Sequence, residues 1–167
     1  DAAIVAVPTA EHAGVAAGLL DAGLDVLVEK PMTGAAAGAA DLVERARRDH
    51  RILAVGHSEW WNPLVARLFA AAGKARRIRV ERTHPPSTRS LDIDVVQDLM
   101  LHDLDWLRRS VPAELETLKA TGRCVANDRL DEATASLEFT GGARAELVAS
   151  RVHVDRCRTI EIEGEQG

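Results

Sequence analysis

The chain has 167 residues, enough for one ordinary domain or parts of two. A formal charge of −5 argues against general nucleic-acid binding, which needs basic surface to neutralise phosphates. No apolar run approaches the roughly 20 residues needed to span a bilayer, and the N-terminus lacks the basic and apolar regions of a signal peptide. Apolar residues make up 46%, charged residues 28% and aromatics 3%. That is a soluble globular composition whose core rests on Ala, Val, Leu and Ile. Cys124 and Cys157 form neither a metal pattern nor a disulfide framework. They read as free thiols in a reducing, cytoplasmic compartment, and the six scattered histidines suggest no metal site.

Ile4 to Val7 is a short apolar run, as expected of a parallel strand covered on both faces. Thr9 is a candidate N-cap for a following helix that carries Val15, Leu19 and Leu20 and closes at Ala22-Gly23. Val26 to Val28 is a second strand, ending in Glu29-Lys30-Pro31. Thr33 is placed to cap a second helix, which runs to about Arg48 with Leu42 and Val43 on its apolar face. Ile52 to Val55 is a third strand, ending at Gly56-His57. Strand, helix, strand, helix, strand with short turns predicts an α/β unit with a parallel sheet.

After Pro63 the pattern changes. A helix is expected from Leu64 to about Ala72, a strand from Ile78 to Arg82, and a helix from Val95 to about Arg109. Four strands follow: 116–124, 133–139, 143–152 and 158–163, with a hairpin turn at Gly141-Gly142. This predicts an α+β unit with a mainly antiparallel open sheet. The expected domains are residues 1–61 and 62–167. Both ends of the chain read as cut, so an internal fragment of a longer protein is expected.

In open α/β sheets ligands bind beyond the carboxyl ends of the strands, where Lys30 is expected to stand. Pro31 restricts the lysine's backbone, and the Lys30-Pro31 bond is a candidate for the cis form. Asp98 and His102 are four apart in a predicted helix and so share a face, where a carboxylate holds an imidazole's tautomer.

Four local patterns line up in order: Ala3-Ile4-Val5-Ala6-Val7-Pro8-Thr9 with His12; Glu29-Lys30-Pro31; Val55-Gly56-His57 followed by Asn62-Pro63; and Asp98-Leu99-Met100-Leu101-His102-Asp103-Leu104-Asp105. Together they resemble the glucose–fructose oxidoreductase / inositol 2-dehydrogenase / rhizopine-catabolism (Gfo/Idh/MocA) family of NAD(P)-dependent sugar oxidoreductases. The resemblance covers essentially the whole chain. It implies the C-terminal half of a Rossmann dinucleotide-binding domain followed by part of a substrate and oligomerisation domain. The glycine-rich first half would precede residue 1, and no Gly-x-Gly-x-x-Gly occurs here. By itself the stretch is therefore expected to bind dinucleotide poorly.

The resemblance implies oxidation of a secondary alcohol of a sugar or nucleotide sugar, with NAD or NADP as cofactor and a homo-oligomer at full length. His102 would be the proton acceptor or relay. Lys30 would hydrogen-bond the reacting oxygen or exchange the proton itself, and Asp98 would orient the hydroxyl or His102. Which of Lys30 and His102 is the base is left open. Pro8, Thr9, His12 and Glu29 match cofactor-side positions, and His57 is a candidate to line the site. Trp60 stands where many relatives carry arginine, which leaves two readings for Trp60 and Trp61: stacking on a nicotinamide or sugar ring, or ordinary packing at a domain interface.

Lys74, Arg76, Arg77, Arg79, Arg82 and Arg89 form the basic cluster. They read as a solvated edge strand. The run from Thr88 through Val96 also resembles the nucleotide-sugar subgroup, such as UDP-N-acetylglucosamine 3-dehydrogenases, with Arg89 meeting a substrate diphosphate. Two alternatives are a non-catalytic dinucleotide- or sugar-sensing protein of the same fold, and an NAD-dependent glycosidase or lyase.

Overall fold

In the computed structural model, which describes residues 1–87, 92–126 and 128–166, the chain forms two compact units, Asp1–His57 and Ser58–Gly167. Residues 58–61, assigned to the first domain by the sequence pattern, cluster with the second unit.

The first unit is a three-stranded parallel sheet in the order β1 (Ala2–Val5), β2 (Asp25–Val28), β3 (Leu53–Val55). Helices α1 (Thr9–Asp21) and α2 (Ala36–Arg48) connect the strands. Buried His12, Ala16 and Leu20 recur every four residues along α1, and Leu42 and Ala46 do so on α2. With Val5, Val26 and Val28 they make the unit's core. The expectation of strands covered on both faces does not hold here. Ile4 is 74% exposed and Leu27 is exposed, because α1 and α2 cover only the face carrying Val5, Val26 and Val28.

Two caps differ from the sequence reading. Pro8 takes the N-cap position of α1, extended and without a side-chain cap, and Thr9 is the first helical residue. Proline's restricted φ suits that entry and needs no hydroxyl. Ala35 precedes α2, and the Thr33 hydroxyl donates to the Ala35 carbonyl at 2.6 Å instead of accepting a helix N–H.

The second unit opens with a 3₁₀ turn (Ser58–Trp61) and α3 (Pro63–Ala72), whose N-cap Asn62 accepts the Leu64 amide at 3.0 Å. Its sheet runs in the order β5 (Leu115–Arg123), β6 (Glu132–Phe139), β7 (Arg144–Ser150), β4 (Ala75–Thr83), β8 (Cys157–Gly164). The pairs are antiparallel except β4 with β7, which is parallel. Gly141 and Gly142, both at positive φ, turn β6 into β7, a conformation open to glycine without a Cβ penalty. Ile78, Val80, Leu137, Ala145 and Leu147 point to one face, where Met100, Trp106 and Leu107 pack on them. β4 is not the expected edge strand: β7 and β8 flank it, and inward-facing Arg82 is buried.

The helix expected from Val95 is instead a π-helical turn (Val96–Met100) followed by α4 (Leu101–Ser110). The Leu101 amide donates back to the Val96 carbonyl, five residues earlier. Among the described residues no helix is long and apolar enough to cross a membrane.

Candidate active site

In the first unit the polar groups of interest lie past the carboxyl ends of β1, β2 and β3. Lys30 is half-buried two residues beyond β2, and its peptide bond to Pro31 is cis. The Glu29 amide donates to Val5 O at 2.9 Å and the Gly56 amide to Val28 O at 2.8 Å, so the three strand ends stay paired up to the lysine. The exposed Glu29 carboxylate accepts the Lys30 amide at 3.2 Å. It lies over Gly56, where a β-carbon would come within 2.9 Å of it.

His12 is 1% exposed. Its Nδ1 is 2.8 Å from Pro31 O and its Nε2 is 2.9 Å from Val7 O. It therefore ties the loop after β1 to the turn that carries Lys30, and reaches ligand space only through the backbone it holds. Pro8 is exposed, Thr9 is half-buried, and His57 is half-buried with its amide donating to Val55 O at 2.8 Å.

In the second unit, Asp98 lies on the π turn and His102 in the first turn of α4, both half-buried. Asp94 fixes the start of that segment: its carboxylate accepts the Val96 and Gln97 amides, each at 3.1 Å, and its carbonyl accepts the Asp98 amide at 2.9 Å. Trp60 has the Arg109 guanidinium over its ring at 4.9 Å, and Arg109 Nε donates to Asp105 at 3.0 Å. Trp61 is 81% exposed. Arg89, with Thr88, Ser90 and Leu91, lies outside the described residues. Among the described residues no group of three His, Cys, Asp or Glu could hold a metal ion.

Two buried ion pairs near this segment escaped the sequence reading. Arg82 donates to both oxygens of Asp103, at 3.2 and 2.5 Å. Burial pushes the Asp103 carboxyl above its usual range, and Arg82 pulls it back down. Arg151 donates to Asp131 at 2.7 Å and to the Ile93 carbonyl at 2.7 Å. The other Asp131 oxygen accepts the Val125 and Ala126 amides. Burial raises the Asp131 carboxyl, but those two amides and Arg151 outweigh it and hold the group down at about 2. The first pair had a signal in the sequence. Arg82 alternates with inward Ile78 and Val80, and Asp103 shares a helical stripe with Trp106 and Leu107.

Polar groups past parallel strand ends, followed by a helix packed on a mixed sheet, make a Rossmann-like α/β unit joined to an α+β unit. The family model described as "Oxidoreductase family, NAD-binding Rossmann fold" matches residues 1–57, and "GFO/IDH/MocA C-terminal domain" matches residues 70–167. The chain belongs to the Gfo/Idh/MocA family of oxidoreductases. It is 38% identical over 163 residues to UDP-N-acetylglucosamine 3-dehydrogenase of Acidithiobacillus ferrooxidans, covering 97% of this chain and 52% of that protein. A solved structure of that enzyme superposes with a TM-score of 0.89 at 37% identity, over 99% of this chain and 55% of that one. The scyllo-inositol 2-dehydrogenase (NAD(+)) of Bacillus subtilis is 26% identical over 183 residues, covering 98% of this chain and 54% of that protein. The chain thus spans about half the length of the curated relatives it matches.

Past the strand ends Pro8 and Glu29 are exposed and Lys30 is half-buried. With no Gly-x-Gly-x-x-Gly in these residues, none of them reproduces the glycine-rich pyrophosphate cradle.

Proposed function

We propose that the protein containing this chain is an NAD(P)-dependent dehydrogenase that oxidises a secondary alcohol of a nucleotide sugar, in the manner of a UDP-N-acetylglucosamine 3-dehydrogenase. The observation that carries the reading is the 38% identity to such an enzyme across 97% of this chain. Lys30, Asp98 and His102 are present alongside that likeness.

Alcohol oxidation removes a hydride and a proton from one carbinol. Bound nicotinamide supplies the hydride acceptor. The protein's share is to hold the carbinol and take the hydroxyl proton. The Lys30 ammonium donates a hydrogen bond to the reacting oxygen and favours its developing negative charge. The imidazole of His102 accepts or relays the proton, a task suited to histidine near neutral pH. Asp98, four residues earlier, orients that imidazole or the substrate hydroxyl. Pro8, Thr9 and Glu29 meet the nicotinamide end through their backbone. His12 holds the two loops they sit on, and His57 lines the substrate side. Arg89 is the proposed contact for a substrate diphosphate, and Trp61, exposed on its turn, is the proposed ring-stacking partner.

The test uses the intact protein. NADH or NADPH absorbance is followed with UDP-N-acetylglucosamine, free N-acetylglucosamine, scyllo-inositol and myo-inositol. Turnover is expected with the UDP-sugar and not with the free sugars. Lys30→Ala and His102→Ala are each expected to lower kcat by about 10²–10⁴, the usual worth of a positioned acid or base, with cofactor affinity nearly unchanged. Wild-type turnover in either variant would sink the assignment of roles. Turnover with inositols alone would move the substrate class.

A further inference from the structure

Asp103 is a carboxylate in the wrong company. It is 1% exposed and lies in the buried stripe of α4 and the turn before it, with Met100, Trp106 and Leu107. Its partner Arg82 is 8% exposed and occupies the inward row of β4 with Ile78 and Val80. Such a pair returns little net stability over apolar side chains of similar size. What it supplies that leucine or methionine cannot is direction. Hydrophobic burial is indifferent to small rotations, whereas a guanidinium fork on a carboxylate fixes the planes of both groups.

The place where direction matters is the residue before. His102 adjoins Asp103, and α4 begins where the π turn Val96–Met100 ends. A π turn carries one residue more than the α-helical turn it replaces. An α-helical continuation through the same residues would rotate everything after it by roughly 100°. That rotation would swing His102 off its face and take Asp103 out of reach of Arg82. The start of the turn is held separately, by Asp94 on the Val96 and Gln97 amides and by Arg151 on the Ile93 carbonyl. The end is held by Asp103, with Nε and Nη2 of Arg82 on its two oxygens.

We propose that Arg82 and Asp103 are positioning residues: their bidentate pair sets the rotational register of α4 after the π turn and so aims the His102 imidazole. The inference rests on the role given to His102 in the proposed function, and its test separates the two. In the intact protein, Arg82→Met combined with Asp103→Leu removes both charges while filling their volume, and Arg82→Lys keeps the charge but loses the fork. Both retain a cooperative melt. In the double variant kcat falls on the order of a hundredfold, while KM for sugar and cofactor stays near wild type. Arg82→Lys gives a smaller loss of the same kind. The His102 ring signal in ¹H–¹³C NMR, assigned by its loss in His102→Ala, shifts in both. Wild-type kcat and an unmoved ring signal in whichever variant folds would overturn the proposal. Full activity in His102→Ala would instead remove the catalytic reading of His102, and the ring signal would still decide whether the pair sets its orientation.

Discussion

The two units place their candidate functional groups by opposite means. In the first, Lys30 is placed by backbone: paired strand ends and the His12 ring set between the Val7 and Pro31 carbonyls fix the turn, and the core beneath is Val, Leu and Ala. In the second, the π turn and α4 are placed by charge. Two carboxylates and two guanidiniums are buried there, each pair within hydrogen-bond distance. Strand ends of a parallel sheet are rigid because both neighbours share the ladder. A helix lying on a sheet can turn or slide, and the buried pairs limit that freedom.

The largest stability effect expected from this contrast is at Arg151. Its side chain is 4% exposed and that of Asp131 is 1%. Arg151→Ala leaves the buried Asp131 carboxylate without its countercharge, with only the Val125 and Ala126 amides on one oxygen, and takes the donor from the Ile93 carbonyl, which costs about 3–5 kcal/mol. Urea melts should show the loss in the second unit, where Asp131 immediately precedes β6 and Arg151 immediately follows β7. Wild-type stability in that variant would remove the claim that charge organises this unit.

How much of this was legible in the sequence follows the same division. The parallel unit was readable because short apolar runs and helical spacing are local signals: Val26 to Val28, then Leu42 with Val43, although the structure buries Ala46 rather than Val43 beside Leu42. Its caps were misread at Thr9 and Thr33, where proline geometry and a hydroxyl-to-carbonyl bond decided the outcome. The mixed sheet was readable strand by strand, but not its order. Nothing local in the segment from Ala75 to Thr83 says that β7 and β8 will flank it, so its arginines suggested an exposed edge. The π turn was invisible, because one extra residue in a helical pattern changes no side-chain type. Of the site, Lys30, Asp98 and His102 were chosen by motif. Asp103 and Arg151 were passed over because a charged side chain reads as solvated by default, and the neighbours of Arg151, Ser150 and Val152, give no contrary sign.

A middle-sized effect is expected in acid, again in the second unit. Asp131 is held at about 2 in the fold, below the roughly 3.9 of an unfolded aspartate. Between those values the unfolded chain binds more protons. The contribution is complete above the unfolded value and is lost as pH falls through the folded one. Asp103 is shifted upward by burial, so it works in the opposite sense and adds no acid loss of its own. The stability gap between wild type and Asp131→Asn should therefore narrow as pH drops from about 4 to about 2. A gap that stays constant across that window would mean the carboxylate's charge is not what the surrounding amides and Arg151 stabilise.

The smallest effect is expected at another arginine that meets carboxylates, on the surface of the first unit. Arg45 donates to Asp41 at 2.7 Å and to both oxygens of Asp21, at 2.8 and 3.1 Å. Its shortest distance to a carboxylate oxygen is as short as that of Arg151 to Asp131. The difference is water: the Asp21 and Asp41 side chains are 46% and 58% exposed. Exposed charges lose little hydration on pairing and regain it when the pair breaks, and both long side chains give up freedom to hold one geometry. Arg45→Ala should thus leave the urea midpoint within the scatter of replicate melts, and any residual difference should vanish at about 1 M salt. A loss comparable to that of Arg151→Ala would show that the first unit also leans on charge, and the contrast between the two units would fail.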